Sequence, residues 1–177
     1  MVKAYDVRPA HVQFPLHPDT PSGGIALAEL FAGRGLDLNA MHARMKSLMD
    51  AEGLPYARRE RTYNSRLAQE LGKWGEAAGR PAIHDALYRA YFVDGADIGT
   101  VDVLAGLAER VGLPADEARR VLSERAFRAA VDRDWAHARA LGVTGVPTFV
   151  AGGRAVVGAQ PYEALERLVQ LAGADRR

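Results

Sequence analysis

The chain has 177 residues, 48% of them apolar, with 23 Lys+Arg against 22 Asp+Glu. That length suits one domain, or one domain carrying a large insertion, and the balanced charge provides no global field to attract nucleic acid or anionic lipid. Cysteine is absent, which excludes disulfides, thiolate nucleophiles and cysteine-ligated metals within these residues.

In chain order, the start MVKAYDVRPAH has no apolar run before a small-residue cleavage site, so no signal peptide is expected and the address defaults to cytoplasmic. No stretch approaches the ~20 apolar residues of a membrane span. Tyr5 to Leu16 reads as a strand, with Tyr5, Val7, Val12, Phe14 and Leu16 including an alternating apolar set and Pro9 interrupting early. HPDTPSGG then marks a loop. From Ile25 to Leu141 the period is helical. Ile25, Leu27, Leu30 and Phe31 suggest a short first helix. Leu38, Met41, Met45, Leu48 and Met49 give a second, ended by Gly53.

A third helix carries Leu67, Leu71 and Trp74, capped by Asn64 or Ser65. Pro81 fits the first turn of a fourth, with Ile83, Leu87, Tyr88 and Tyr91 on one side. Thr100 can cap a fifth, a sixth runs near Ala115 to Leu122, and a seventh carries Phe127, Val131, Trp135 and Ala138. After Gly142 the period changes. Thr148 to Ala151 and Ala155 to Val157 read as strands joined by the turn signal Gly152-Gly153. Pro161 opens a last helix with Leu165, Leu168, Val169 and Ala172 inward, and Asp175-Arg176-Arg177 is expected to fray. Strands at both ends with helices between suggest one α/β domain, residues 1–24 and 142–177, interrupted by a helical domain over 25–141.

Among isolated features, the five histidines show no i, i+4 metal spacing, and His84 reads as a solvated helix-face residue. Trp74 and Trp135 read as core. The run Arg58-Arg59-Glu60-Arg61 could meet an acidic peptide or the carboxylates of glutathione, but a solvated loop is the plainer reading. Taken alone, Gly145-Val146-Pro147 is an ordinary turn into a hairpin.

The ordered set changes that reading. FPLHPDTPSGG, RTYNSRLAQELGKW, LYRAYFVDGADIGTVDVLAGLAERVGL and GVTGVPTFVAGGRAVVGAQP together resemble the DsbA family, and within it the FrnE-like branch, related to 2-hydroxychromene-2-carboxylate isomerases. The resemblance implies a thioredoxin-like α/β fold with a large helical insertion. It also implies a cis Val146–Pro147 bond whose flanking backbone docks a peptide or a small thiol, and Asn64 near the active site, beside its plainer role as a helix cap. Members of the family begin with a strand and helix carrying Cys-X-X-Cys, which this sequence lacks; the coding sequence starts late, the chain is truncated, or it is a natural pseudo-enzyme.

The resemblance thus implies a thiol–disulfide oxidoreductase family member that is redox-inactive as given, with no catalytic residue and no metal. No cofactor is expected, glutathione being the one candidate. The alternatives are a glutathione-dependent isomerase and a non-catalytic peptide-binding protein. A sheet without its first strand is expected to repair itself by dimerising through exposed edges, by strand exchange, or by pairing the Tyr5–Leu16 and Thr148–Ala151 strands directly.

Overall fold

A computed structural model describes residues 4–177. The elements in order are β1 (Ile25–Ala26), α1 (Leu27–Leu30), α2 (Leu38–Ala51), β2 (Arg61–Thr62), α3 (Arg66–Ala77), α4 (Ile83–Phe92), α5 (Val101–Arg110), α6 (Ala115–Ser123), α7 (Arg128–Ala140), β3 (Thr148–Ala151), β4 (Arg154–Val157) and α8 (Tyr162–Leu171). Contacts divide the chain into two units: residues up to Leu16 with Asp132–Arg177, and His17–Val131. The division falls within α7. Among the described residues, no helix is long and apolar enough to cross a membrane.

The unit His17–Val131 is built on α3 to α6. Their apolar positions recur at helical spacing, so each presents one stripe, and Leu71, Ile83, Leu104 and Leu122 close the centre. Helices α3 and α4 approach closely at Gly75, where a Cβ would collide with the Ile83 side chain. One charge lies inside this core. Glu70 is 1% exposed; its carboxylate accepts from Arg66 Nε at 2.9 Å and from Arg125 at 3.0 and 2.6 Å. Arg125 holds a left-handed backbone, φ 54°, in the turn between α6 and α7.

Four local expectations fail here. Ile25 begins not a helix but a short strand, with Ile25 opposite Thr62 and Ala26 opposite Arg61. His84 is buried, not solvated, and its Nε2 lies 2.8 Å from Glu76 Oε1. Burial pushes the Glu76 carboxyl up, but hydrogen bonds from Lys73 and His84 outweigh it and hold it below the usual range. Tyr88 is exposed instead of sharing the inward side of α4. Helix α2 takes its cap from Asp37, which accepts from the backbone of Asn39 and Ala40; Thr100 makes no side-chain cap on α5.

In the other unit, the expected strand over Tyr5–Leu16 does not form. Only Tyr5 makes a bridge, to Arg176, extended by Asp6 N–H donating to Asp175 O at 2.9 Å and Arg177 N–H to Ala4 O at 3.0 Å. Pro9 and Pro15 remove two ladder donors from the rest of the segment. The C-terminal residues, expected to fray, are held by this bridge. Tyr5 is buried; its hydroxyl donates to Glu166 at 2.8 Å and accepts from Gln170 at 2.7 Å. Burial, reinforced by the Glu166 bond, raises the phenol's pKa. Trp135, expected in the core, is only partly buried, while Trp74 is buried.

Candidate functional site

The hairpin β3–β4 places the site. Gly152 and Gly153 both take positive φ, 55° and 73°, as a two-residue turn with the twist of its strands requires. Thr148 faces Val157 and Ala151 faces Arg154. The Gly158 N–H donates to Pro147 O at 2.8 Å, so 147 and 158 form a hydrogen-bonded pair. Antiparallel alternation then turns the main-chain groups of Phe149 and Ala151 toward β4, and those of Thr148 and Val150 away from it.

Val146 continues this outer edge. Its peptide bond to Pro147 is cis, and Thr148 Oγ1 closes the turn by donating to Gly145 O at 2.7 Å. Among the described residues, Val146 takes part in no hydrogen bond, and it is half exposed. β3 has β4 as its sole strand partner among the described residues. Val146, Thr148 and Val150 therefore present a row of open backbone donors and acceptors. The direct pairing of β3 with the Tyr5–Leu16 segment, one of the three expected repairs, does not occur.

A cavity of about 660 Å³ runs along this edge. One wall is Val146 and all of β3, with no residue of β4. The facing wall comes from the N-terminal segment: Val7, Pro9, Val12 and Phe14. Leu141 and Val143 at the end of α7, and Leu165, Leu168 and Val169 of α8, complete the lining. The lining is overwhelmingly apolar, and no carboxylate contributes to it. The site therefore offers main-chain hydrogen bonding between mostly apolar walls, with Arg8, His137 and Thr148 as the polar side chains of its lining, and no cysteine for thiol exchange.

Asn64 belongs to the other unit. Its amide donates to Thr20 O at 2.8 Å and Pro18 O at 3.3 Å, and its Oδ1 accepts from Arg66 N–H at 2.9 Å. It thus anchors the loop after His17 and supports the start of α3, while Ser65 occupies the cap position without a side-chain bond to the helix backbone. Arg61 pins the same loop through Gly23 O and Gly24 O. Arg59, one of the run read as a solvated loop, instead packs its guanidinium on Tyr91 and Phe92. Nothing local in the sequence marks that arrangement.

The family model of the DSBA-like thioredoxin domain matches residues 1–170. The fold is similar to that of a probable DsbA oxidoreductase from Streptomyces coelicolor, with TM-score 0.77 and 32% identity over 89% of this chain and 72% of that one. It is also similar to a candidate protein disulfide isomerase from Nitrosomonas europaea, with TM-score 0.64; at 14% identity, over 86% of this chain and 77% of that one, this likeness concerns the fold alone. In sequence, the chain is 30% identical to the uncharacterized protein YwbO of Bacillus subtilis (strain 168) over 84 residues. That match spans 47% of this chain and 42% of the relative, so the chain covers less than half the length of the curated relative it matches. A thioredoxin-like fold with a hairpin after cis-proline, helices α3 to α6 between its parts, and a match over residues 1–170 together establish that this chain belongs to the DSBA-like thioredoxin domain family.

Proposed function

We propose that this chain is a FrnE-like member of the family whose 177 residues dock substrate and do not exchange disulfides. Exchange requires an attacking thiolate and a sulfur to receive it, and these residues contain no cysteine. The observation that carries the reading is the open edge Val146–Thr148–Val150 beside an apolar cavity. Its ligand is an extended peptide that adds a strand to β3, main-chain bonds supplying affinity and the apolar walls selecting side chains. Glutathione, a short peptide carrying a thiol, is the small-ligand alternative for the same edge. A second copy of the chain, pairing edge to edge, would compete with both.

The test is fluorescence anisotropy with a labelled seven-residue apolar peptide. Two peptides N-methylated at alternate positions accompany it, one set in each register. An added strand bonds β3 through every second residue, so one N-methyl set should lose at least about tenfold in affinity and the other should lose little. Equal binding by both sets would rule out strand addition. Competition by glutathione separates the small-thiol ligand, and sedimentation of the free protein reveals a competing homodimer. Insulin reduction by the chain should remain at background.

A further inference from the structure

Arg59 precedes β2 and its guanidinium packs against a pair of aromatic rings. Its guanidinium carbon is 4.2 Å from the centre of the Tyr91 ring and 4.9 Å from that of Phe92, and the two rings meet edge to face. The platform is fixed. Tyr91 Oη and Thr62 Oγ1 share a 2.7 Å hydrogen bond, and Ala57 N–H donates to Phe92 O at 3.1 Å. Nε and Nη1 of Arg59 are fully enclosed and have no hydrogen-bond acceptor. The remaining amino group, Nη2, is not among the enclosed atoms and has no partner among the described residues.

A guanidinium carries five N–H donors and no acceptor. Ring faces attract the cation but do not replace the acceptors its N–H groups have lost. No ion pair brings an anion to it among the described residues. Arg58, Arg59 and Arg61 stand against the single Glu60, and no ion pair joins any of the four to another described residue. Arg61 spends its Nη2 on the carbonyls of Gly23 and Gly24.

From this we infer that Arg59 anchors an oxyanion-binding site in the His17–Val131 unit, taking a carboxylate or phosphate group at its outward Nη2. The aromatic platform holds the fork in one orientation before the ligand arrives, which lowers the ordering cost of binding. A carboxylate and a phosphate share this chemistry, and the choice between them is read by experiment.

The decisive measurement is the Arg59 Nε–Hε resonance in a ¹⁵N-labelled sample of the full chain. Because the guanidinium carbon lies 4.2 and 4.9 Å from two ring centres, this proton should be shifted by ring currents away from those of exposed arginines. Inorganic phosphate and acetate are titrated separately at constant ionic strength. A saturable shift of this resonance at millimolar anion, absent from exposed Arg110 at the end of α5, supports the site; phosphate alone, acetate alone or both identify the oxyanion preferred. A linear drift equal to that of Arg110 overturns it, leaving a purely structural cation–π contact. Arg59→Lys should abolish the anion-induced shifts at neighbouring Thr62 and Tyr91 amides. If that variant fails to fold, the wild-type titration decides alone.

Discussion

Removing Arg125 tests whether the helical unit depends on its buried charge. Glu70 is 1% exposed and sits on the same stripe of α3 as Leu67, Leu71 and Trp74. Arg125 supplies two of its charge-assisted bonds, at 3.0 and 2.6 Å, and Arg66 supplies one at 2.9 Å. Breaking a buried pair by deleting one partner typically costs about 3–5 kcal/mol. Two features lower that figure: Arg66 remains in place, and the Arg125 side chain is 39% exposed, so water already screens its outer side. Arg125→Ala should therefore cost about 2–3 kcal/mol. Arg125→Gly should cost up to about 1 kcal/mol less, because glycine adopts the φ of 54° without a Cβ penalty. Urea unfolding followed by tryptophan fluorescence measures both, with Trp135→Phe as background so that buried Trp74 reports the helical unit. A loss below about 0.5 kcal/mol for Arg125→Ala would show that the ion cluster is not holding the core.

Gly75→Ala should destabilise the same unit by about 1–3 kcal/mol despite alanine's better helix propensity, because the new methyl collides with Ile83; adding Ile83→Leu, which removes the branch at Cβ, should recover part of the loss in the same urea assay. Glu76 gives the pH dependence. Its folded pKa is lowered, so its contribution is full above the unfolded carboxylate value and disappears as pH falls through the folded one; thermal melts from about pH 5 to pH 3 should show Glu76→Gln losing less stability on acidification than the parent. Tyr5→Phe removes the hydroxyl that links Glu166 and Gln170 and should cost about 1–2 kcal/mol, read by amide exchange at Asp6 and Arg177; unchanged protection there would contradict a tethering role.

Most helices were legible because their apolar spacing and their terminal glycines agree. Gly53, Gly79, Gly112 and Gly142 all take the positive φ expected after a helix end. The hairpin was legible for the same reason: its turn chemistry is local. What escaped depended on partners distant in sequence. The alternation in Tyr5–Leu16 satisfies a strand pattern, but a strand needs a ladder, and only Tyr5 finds one, 171 residues away at Arg176. Asn64 was legible as a residue that starts a helix, yet its amide nitrogen reaches back 44 and 46 residues to Thr20 and Pro18. Glu70 carried a usable signal that spacing alone passed over: it falls on the apolar stripe of α3, four residues after Arg66, where a charge is tolerated only if paired.

The candidate site was half legible for a related physical reason. Val146 and Pro147 could be singled out from motif order, because a proline before a strand has local consequences. The groove could not, since its far wall is an extended segment that makes no ladder and leaves no periodic trace beyond Val7, Val12 and Phe14. Yet the same failure explains the site. Had Tyr5–Leu16 formed the expected strand against β3, the main-chain groups of Thr148 and Val150 would be consumed and the cavity filled by side chains. The N-terminal segment instead turns to the C-terminal residues for its one bridge, stands off from β3, and leaves an edge with apolar walls. Exposed edges of this kind invite pairing, and here the invitation is bounded: three residues of edge, Val146, Thr148 and Val150, with Pro147 unable to donate between them. A ligand that meets these constraints must be extended and must bond through alternate residues. The alternating N-methyl peptides are sensitive to both requirements at once.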